Sequence, residues 1–405
     1  MGTSCAGCKK VVATGARTLL LMREERCFGQ MNEDADGTNM GAWKRMDLLS
    51  ESVVNNITTF VSESLNPERA IKRRMQGTSA VGGDVNVELS NNGHAWMIVQ
   101  ALGKIVGAGT AGDPYTILPV DSNGVAKGAT AGYKQTPAKY DLSHEITYDP
   151  NCCGDPGYAD GYYTVDEYNL EPGMDILISR DGGTIKDEFG NDPVNHLWFL
   201  YTGMKVNTWS VTASATEILK STFGLLGRAE DYDYDVAIPT YSEAPEVNDP
   251  FSGFNGAVEI DGESKCILSF EFSLNNNLNT DKFCIGDRFR NSLPEALKEI
   301  TGTITMEFTD LMFYKKFIDG TSAILTVEFD LLGDGTEKMK FILPKIEFNG
   351  TTPTAGSRDA MNQELPFTAM WDDAPADTIL VKGATLTTPD GFDIAVEIVT
   401  AGTLV

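Results

Sequence analysis

The residues best suited to chemistry are few, and none of them completes a site. Cys5-Ala-Gly-Cys8 has the spacing of half a zinc knuckle. Zinc takes four ligands in a tetrahedron, and with Cys27 as the nearest further thiol only three donors are at hand. Gly107-Ala-Gly-Thr-Ala-Gly112 fits the G-x-G-x-x-G dinucleotide pattern. It follows a helical pattern rather than a strand and runs into Asp113-Pro114, so the strand-to-helix turn that aims amides at a pyrophosphate is missing. Asp231-Tyr-Asp-Tyr-Asp235 has the alternating carboxylates of a calcium loop. Val236 stands where the turn needs glycine and Ser242 where the bidentate glutamate belongs, which leaves a weak calcium site or a solvated acidic linker.

The three histidines lie in unrelated contexts. His94 opens a helix beside Trp96, a partly buried structural position. His144-Glu145 falls in a strand pattern, where neighbours point to opposite faces and cannot act together. His196 has no partner motif. No serine elbow, His-Glu-x-x-His or P-loop occurs. A glycosidase pair of carboxylates would be visible only in the fold. Arg69-Ala-Ile-Lys-Arg-Arg74 reads as a solvated connector rather than a phosphate site. The residues therefore assign no catalytic group, no cofactor and no metal.

Charge narrows the classes further. The chain of 405 residues carries 32 Lys+Arg against 58 Asp+Glu, a formal charge of -26. A protein that grips nucleic acid by its phosphates needs the opposite sign. The acidity serves solubility, or it makes a surface that stays near DNA without sticking to it. The seven cysteines (Cys5, Cys8, Cys27, Cys152, Cys153, Cys266, Cys284) form an odd set without a secretion signal, which argues for mostly free thiols. No apolar run is long enough to span a bilayer, and synthesis in a cytoplasm is expected.

What positions these residues is a mainly β framework, indicated by 40 glycines and many short alternating runs. Ile300 to Phe308 alternates strictly, with Ile304, Met306 and Phe308 opposite Thr303, Thr305 and Glu307. A helical turn follows and is stopped by Gly320. Gly82 to Leu89 and the helix at 92–103 have the same grammar, which places Gly83 on Gly302, Val85 on Ile304 and Val87 on Met306, an offset of 219 residues. Further on, Trp198 to Asn207 resembles Lys340 to Phe348 with Phe199 on Phe341, an offset of 142. The chain thus reads as one fold written twice, with about 77 extra residues in the first copy. The stretches 107–139 and 151–195 supply them and belong in surface loops. The second, with Cys152-Cys153 and Tyr-rich Gly157 to Tyr163, either decorates an outer surface or packs as a loop.

The remaining expectations follow in order. Residues 1–46 are an arm without periodicity, and 47–235 are the first domain. Residues 236–254 are a linker, 255–370 the second domain, and 371–405 an extension containing the strand-like runs Thr378 to Val381 and Ile394 to Val399. Leu268, Phe270, Phe272 and Leu274 alternate with Ser269, Glu271 and Ser273, and Ser292 caps a helical turn over 292–299.

The order of features resembles the tail tube protein family of tailed bacteriophages, in the larger form with a duplicated tube domain. The resemblance rests on Arg26-Cys-Phe-Gly29, Gly77 to Leu89 with its helix, Tyr201 to Asn207, and Asp249-Pro-Phe-Ser-Gly253 leading to Ser269 to Asn277. It implies two tandem β-sandwich or barrel-like domains, each with a flanking α-helix, whose inner strands join neighbouring subunits in a closed ring barrel. A ring consumes the strand edges that would otherwise pair without control. If six domains make a ring, three two-domain subunits close it, with a six-subunit ring as the alternative.

On that resemblance Asp84, Asn86, Glu88, Ser269, Glu271, Ser273, Thr303, Thr305 and Glu307 line the lumen. Trp96, Leu102, Leu268, Phe270, Phe272, Met306, Phe308, Phe313, Phe317 and Ile318 pack between sheet and helices. The implied partners are copies of the chain and the tape measure, tail terminator and tail tip proteins. DNA passes without specific binding, no membrane is involved, and the protein sits in the virion tail after assembly in the host cytoplasm. The two-domain length leans toward a long non-contractile tail. The residues by themselves also allow an ordinary sandwich whose wet face meets bulk solvent. Alternative functions are an Ig-like capsid or tail decoration protein and a β-sandwich carbohydrate-active enzyme.

Overall fold

The computed structural model describes residues 18–25, 28–29, 43–62, 73–106, 114–119, 173–180, 196–236, 241–242, 249–331, 333, 336–350, 361–372 and 392–400. They form a mainly β molecule with two helices. In the first half the strands are β1 (Leu19–Glu24), β2 (Trp43–Met46), β3 (Ser50–Glu51), β4 (Val54–Val61) and β5 (Arg74–Glu88). Helix α1 (Asn91–Leu102) follows, then β6 (Gly103–Val106), β7 (Tyr115–Pro119), β8 (Met174–Ser179), β9 (His196–Ser214), β10 (Lys220–Gly227), β11 (Ala229–Val236) and β12 (Tyr241–Ser242). The second half holds β13 (Gly256–Ile260), β14 (Glu263–Lys265), β15 (Ile267–Asn275), β16 (Glu299–Glu307) and α2 (Met312–Asp319). It ends with β17 (Ala323–Asp330), β18 (Lys338–Phe348), β19 (Asn362–Ala369) and β20 (Ala395–Val399).

One antiparallel ladder runs through both halves in the order β4–β5–β10–β9–β15–β16–β19–β18. Among the described residues the sheet network is open, with no closure on itself. Strands β4, β5, β9 and β10 are connected as β15, β16, β18 and β19 are, and the helix after the second strand packs on the third in each set, α1 on β9 and α2 on β18. Val85 faces Phe223 and Ile304 faces Leu365, both pairs buried; Gly83 faces Leu225 as Gly302 faces Phe367. Leu225 then meets Val206, and Phe367 meets Phe348. A Cβ on Gly83 would strike the Ser52 carbonyl, and one on Gly302 the Glu271 carbonyl and the Phe367 ring. Both positions admit only glycine because the neighbouring strand passes so close.

Alternation explains the ladder. Phe270, Phe272 and Leu274 on β15 are buried while Glu271 and Ser273 are exposed, and Ile304 and Met306 on β16 are buried beside exposed Glu307. The described side chains of helix α1 are buried, polar Asn91, His94 and Gln100 among them, with Trp96 under the Lys44 ammonium at 4.0 Å. Helix α2 presents only one stripe: Phe313 is buried edge-on to Phe348 at 5.6 Å, and Phe317 is half-buried against the core. Gly320, at φ 61°, ends α2 in a left-handed turn, as expected.

Several expectations are corrected. Ile318 lies off the stripe of α2 and is 61% exposed, and Phe308 is only half-buried. Leu268 is 37% exposed because the β15–β16 register slips between Ile267 and Ser269, turning it away from the apolar row. Residues 292–298 form no helix; they run irregularly, with the Ala296 amide donating to the Asn276 carbonyl and the Asn279 amide to that of Pro294. Leu19–Glu24, expected in a patternless arm, is a strand between β2 and β8 with Leu20 and Leu21 buried. The extra stretches are more than surface loops, since β7 and β8 lie within them and β8 is buried throughout. Asp231 to Asp235 lies in β11, paired with β9, rather than in a loop. The largest apolar cluster runs continuously across both halves, with two smaller ones beside it. Thr378 to Val381, Gly107 to Gly112, His144, and Cys5, Cys8, Cys27, Cys152 and Cys153 lie outside the described residues; Cys266 and Cys284 are free, exposed thiols.

Candidate functional site

The nine residues expected on the polar side share one face of the central ladder. Directly paired residues in an antiparallel sheet point the same way. Glu88, Lys220, Thr212, Glu271 and Thr303 form one such row across five strands. Asn86, Thr222, Ser210, Ser273 and Thr301 form the next. Asp84 belongs to a third with Thr208 and Asn275, while Ser269 and Thr305 pair with Ser214 and Glu364 in a fourth. Glu307 lies two residues beyond Thr305, on the same side. The rows are tied laterally: the Thr222 hydroxyl donates to Asn86 Oδ1 at 2.7 Å and the Asn86 amide to the Ser50 hydroxyl at 2.9 Å.

Sequence reasoning missed the contributions of β9, β10 and β19 to this face. The signal was present at Thr208, Ser210 and Thr212, which alternate with buried Trp209, Val211 and Ala213. The face also bears a cation, Lys220, whose ammonium lies 3.2 Å from Glu217 at the adjoining turn. Acidic groups still prevail, with Asp84, Glu88, Glu271, Glu307 and Glu364 around it.

Away from this face, three sets of charged or titratable groups are held inside the fold, around Glu25, Arg180 and His94. Glu25 is buried, accepts hydrogen bonds from the Gly29 amide at 2.8 Å and from the Gly203 amide, and stands beside Asp175. Burial, and then the neighbouring carboxylate, push the Glu25 carboxyl well above its usual range. Asp175 is itself paired with Arg23 at 2.9 Å, and all three are sealed from solvent, so this carboxylate pair offers no access to a substrate. Arg180 clamps Glu51 with bonds of 2.7 and 2.9 Å and also donates to the Val53 carbonyl, tying the end of β8 to the central sheet. His94 is fully enclosed. Its Nδ1 accepts from the Ser90 amide at 3.1 Å, so Nε2 carries the proton and donates to the Asp47 carbonyl at 2.8 Å. Among the described residues no three His, Cys, Asp or Glu side chains gather as metal ligands.

What the arrangement offers is therefore a broad polar sheet face, not a pocket with converging reactive groups. Residues 15–369 of the chain match the family described as phage tail tube protein. The chain belongs to the phage tail tube protein family. That membership makes it a structural protein of the virion tail that assembles with itself into a tube. No curated protein matches the chain. The Asp249 to Gly253 segment that carried part of the resemblance is docked on the first half. Phe251 is buried there, and its amide donates to the Leu89 carbonyl while its carbonyl accepts from Leu219. No helix among the described residues is long and apolar enough to cross a membrane.

Proposed function

We propose that this tail tube protein carries two tandem tube modules, 47–235 and 255–370 joined by 236–254. Three chains close a ring, and stacked rings enclose an acidic bore through which the genome leaves the capsid. The observation that carries this reading is the shared polar face: the nine residues lie together on one continuous ladder spanning both halves. The duplication is supported by the like connectivity of the two four-strand sets. It is supported too by the constant offsets of their buried pairs, 219 residues for β5 against β16 and 142 for β10 against β19.

Ring closure draws support from the seam between β9 and β15, where Thr212 pairs with Glu271 and Ser210 with Ser273. That seam joins the last strand of one set to the first strand of the next within a single chain. Repetition of the same junction between chains gives a partner to the outer edge of β4, whose described pairing is with β5 alone. Carboxylates and hydroxyls on the bore give phosphates few cations to exchange for their counterions, so DNA slides without binding. Tape measure, terminator and tip proteins are the partners of such a tube, and a long non-contractile tail suits the two-module length.

Electron microscopy of the purified protein tests the reading. Uniform hollow tubes built of three-chain rings are expected. A persistent monomer that coats capsids would favour decoration, and turnover of a polysaccharide lost on replacing a carboxylate pair would favour an enzyme.

A further inference from the structure

Strand β9 changes partners half-way along. Its residues up to Thr202 pair with β11, and those from Lys205 onward pair with β10 and then β15. Gly203 makes the corner at φ 66°, and Gly29, at φ 71°, lies against it. The amides of both residues end on one carboxyl group. Glu25 Oε1 accepts from the Gly203 amide, and Glu25 Oε2 accepts from the Gly29 amide at 2.8 Å. The tie continues outward, since the Gly29 carbonyl accepts from Arg228 Nη1 at 3.0 Å. Arg228 Nε in turn donates to the Arg290 carbonyl at 3.1 Å, in the loop between β15 and β16. One side chain thus holds the bend of the first half and, through two further residues, a tie to the second.

The charges around that side chain do not balance if every group is ionised. Asp175 on β8 stands beside Glu25, and Arg23 on β1 faces Asp175 as its cross-strand partner, 2.9 Å away. All three are buried, and the Arg23 guanidinium lies over the Trp43 ring at 4.3 Å. Arg228, from the turn between β10 and β11, stands against Gly203 with Asp287 at 3.8 Å from its own cation. The other titratable groups of β9 near the corner are turned elsewhere. The Tyr201 hydroxyl donates to the Val53 carbonyl at 3.2 Å, and Lys205 pairs with Leu226 in the central ladder. Two carboxyl groups therefore share the charge of Arg23 in a dry interior, where a second unbalanced anion is costly.

We infer that Glu25 is a proton-operated lock: carrying a proton it holds the Gly203 and Gly29 amides together, and once ionised it leaves for water and the corner opens. The lock needs no other copy of the chain. Its direction follows from linkage. The carboxyl released to water ionises near the ordinary value of 4.5, whereas burial, and then Asp175, hold the closed one well above it. Opening therefore becomes easier as pH rises from about 4.5 to the closed value, by about tenfold per pH unit, and levels off beyond it. The closed corner is favoured by acid, the reverse of the effect of His94. Opening also frees the Gly29 carbonyl from Arg228, so the tie to Arg290 loosens with it.

Hydrogen exchange of the full chain, read on isotope-labelled glycine amides, tests the lock. Protection factors at Gly203 and Gly29 in the wild type should fall about tenfold per pH unit above about 4.5, while that of Gly302 stays level. Glu25→Gln, which is neutral at every pH, should show no such slope. An infrared band from a buried protonated carboxyl should be present in the wild type at about pH 6 and absent from Glu25→Gln. Asp175→Asn gives a second variant should the glutamine weaken the fold: without the neighbouring charge, the slope should end at a lower pH. A wild type whose two amides ignore pH would overturn the lock, as would an equal slope in Glu25→Gln or a missing carboxyl band. A slope shared by Gly302 would also overturn it, by assigning the effect to unfolding of the whole molecule.

Discussion

Trp209 stands edge-on to Phe272 across the seam between the two halves, ring centroids 5.0 Å apart at an interplanar angle of 87°. Trp209 also stacks toward Phe223, and its indole N–H donates to the Ser221 hydroxyl at 2.9 Å. This aromatic joint lies in an apolar cluster shared by the two halves. Phe272→Ala should cost about 3–5 kcal/mol as a large cavity opens. A double-mutant cycle with Trp209→Phe should return a coupling of about 1 kcal/mol for the edge-to-face contact. Urea unfolding followed by tryptophan fluorescence measures both, and a single transition is expected in the wild type.

Gly83 and Gly302 each let a neighbouring carbonyl approach. Gly83→Ala and Gly302→Ala should each destabilise by about 1–3 kcal/mol through overpacking. Similar costs at both positions, read from denaturant midpoints, are the expected outcome. A neutral Gly302→Ala would show that β15 can move away from β16 without penalty.

His94 links stability to pH. Burial holds its imidazole below the ordinary value of 6.5, so the unfolded chain binds a proton more readily than the folded one. The stability it contributes is complete above pH 6.5 and declines as pH falls toward the lower folded value. Glu25 has the opposite slope: its raised carboxyl contributes fully below about 4.5, and that contribution is lost as pH rises through the folded value. Thermal midpoints of wild type and His94→Gln, compared between pH 7.5 and 5.5, isolate the histidine. The wild type should lose more on acidification; parallel curves would remove His94 as the cause.

The polar face can be given the other sign without touching the core. Glu271 and Glu364 are exposed, and Glu271→Lys with Glu364→Lys should leave assembly intact. DNA release from particles built with this variant should slow several-fold at low ionic strength and recover as salt screens the new cations. Release kinetics unchanged at every salt concentration would count against a bore on this face.

Strict alternation made β15 and β16 legible, because a period of two with one wet side has few other meanings. Gly83 and Gly302 were set against each other through their flanking valine and isoleucine, and the structure brings a neighbouring carbonyl close to each. What stayed hidden depended on partners distant in sequence. Leu268 fits its apolar row in sequence, and only the slip against β16 turns it outward. Strand β8, Met174–Ser179, is buried on both faces, with Asp175 on one of them held by distant Arg23, so its place beside β9 could not be read from spacing. Ser292 and Pro294 have the types of a helix start, but hydrogen bonds to the Asn276 region hold that segment open. The polar face was half visible, since Thr212 and Lys220 join Glu88 and Glu271 only through the pairing of four strands.

The seam between β9 and β15 also bears on how quickly a tube can begin. A joint made inside one polypeptide needs no encounter in solution, so it is present as soon as the chain has folded, however dilute the protein. If three such chains close the ring, as proposed, every second junction is preformed. The slow opening phase of growth then depends on meetings of three bodies rather than six, which lowers the protein concentration at which the first ring can nucleate.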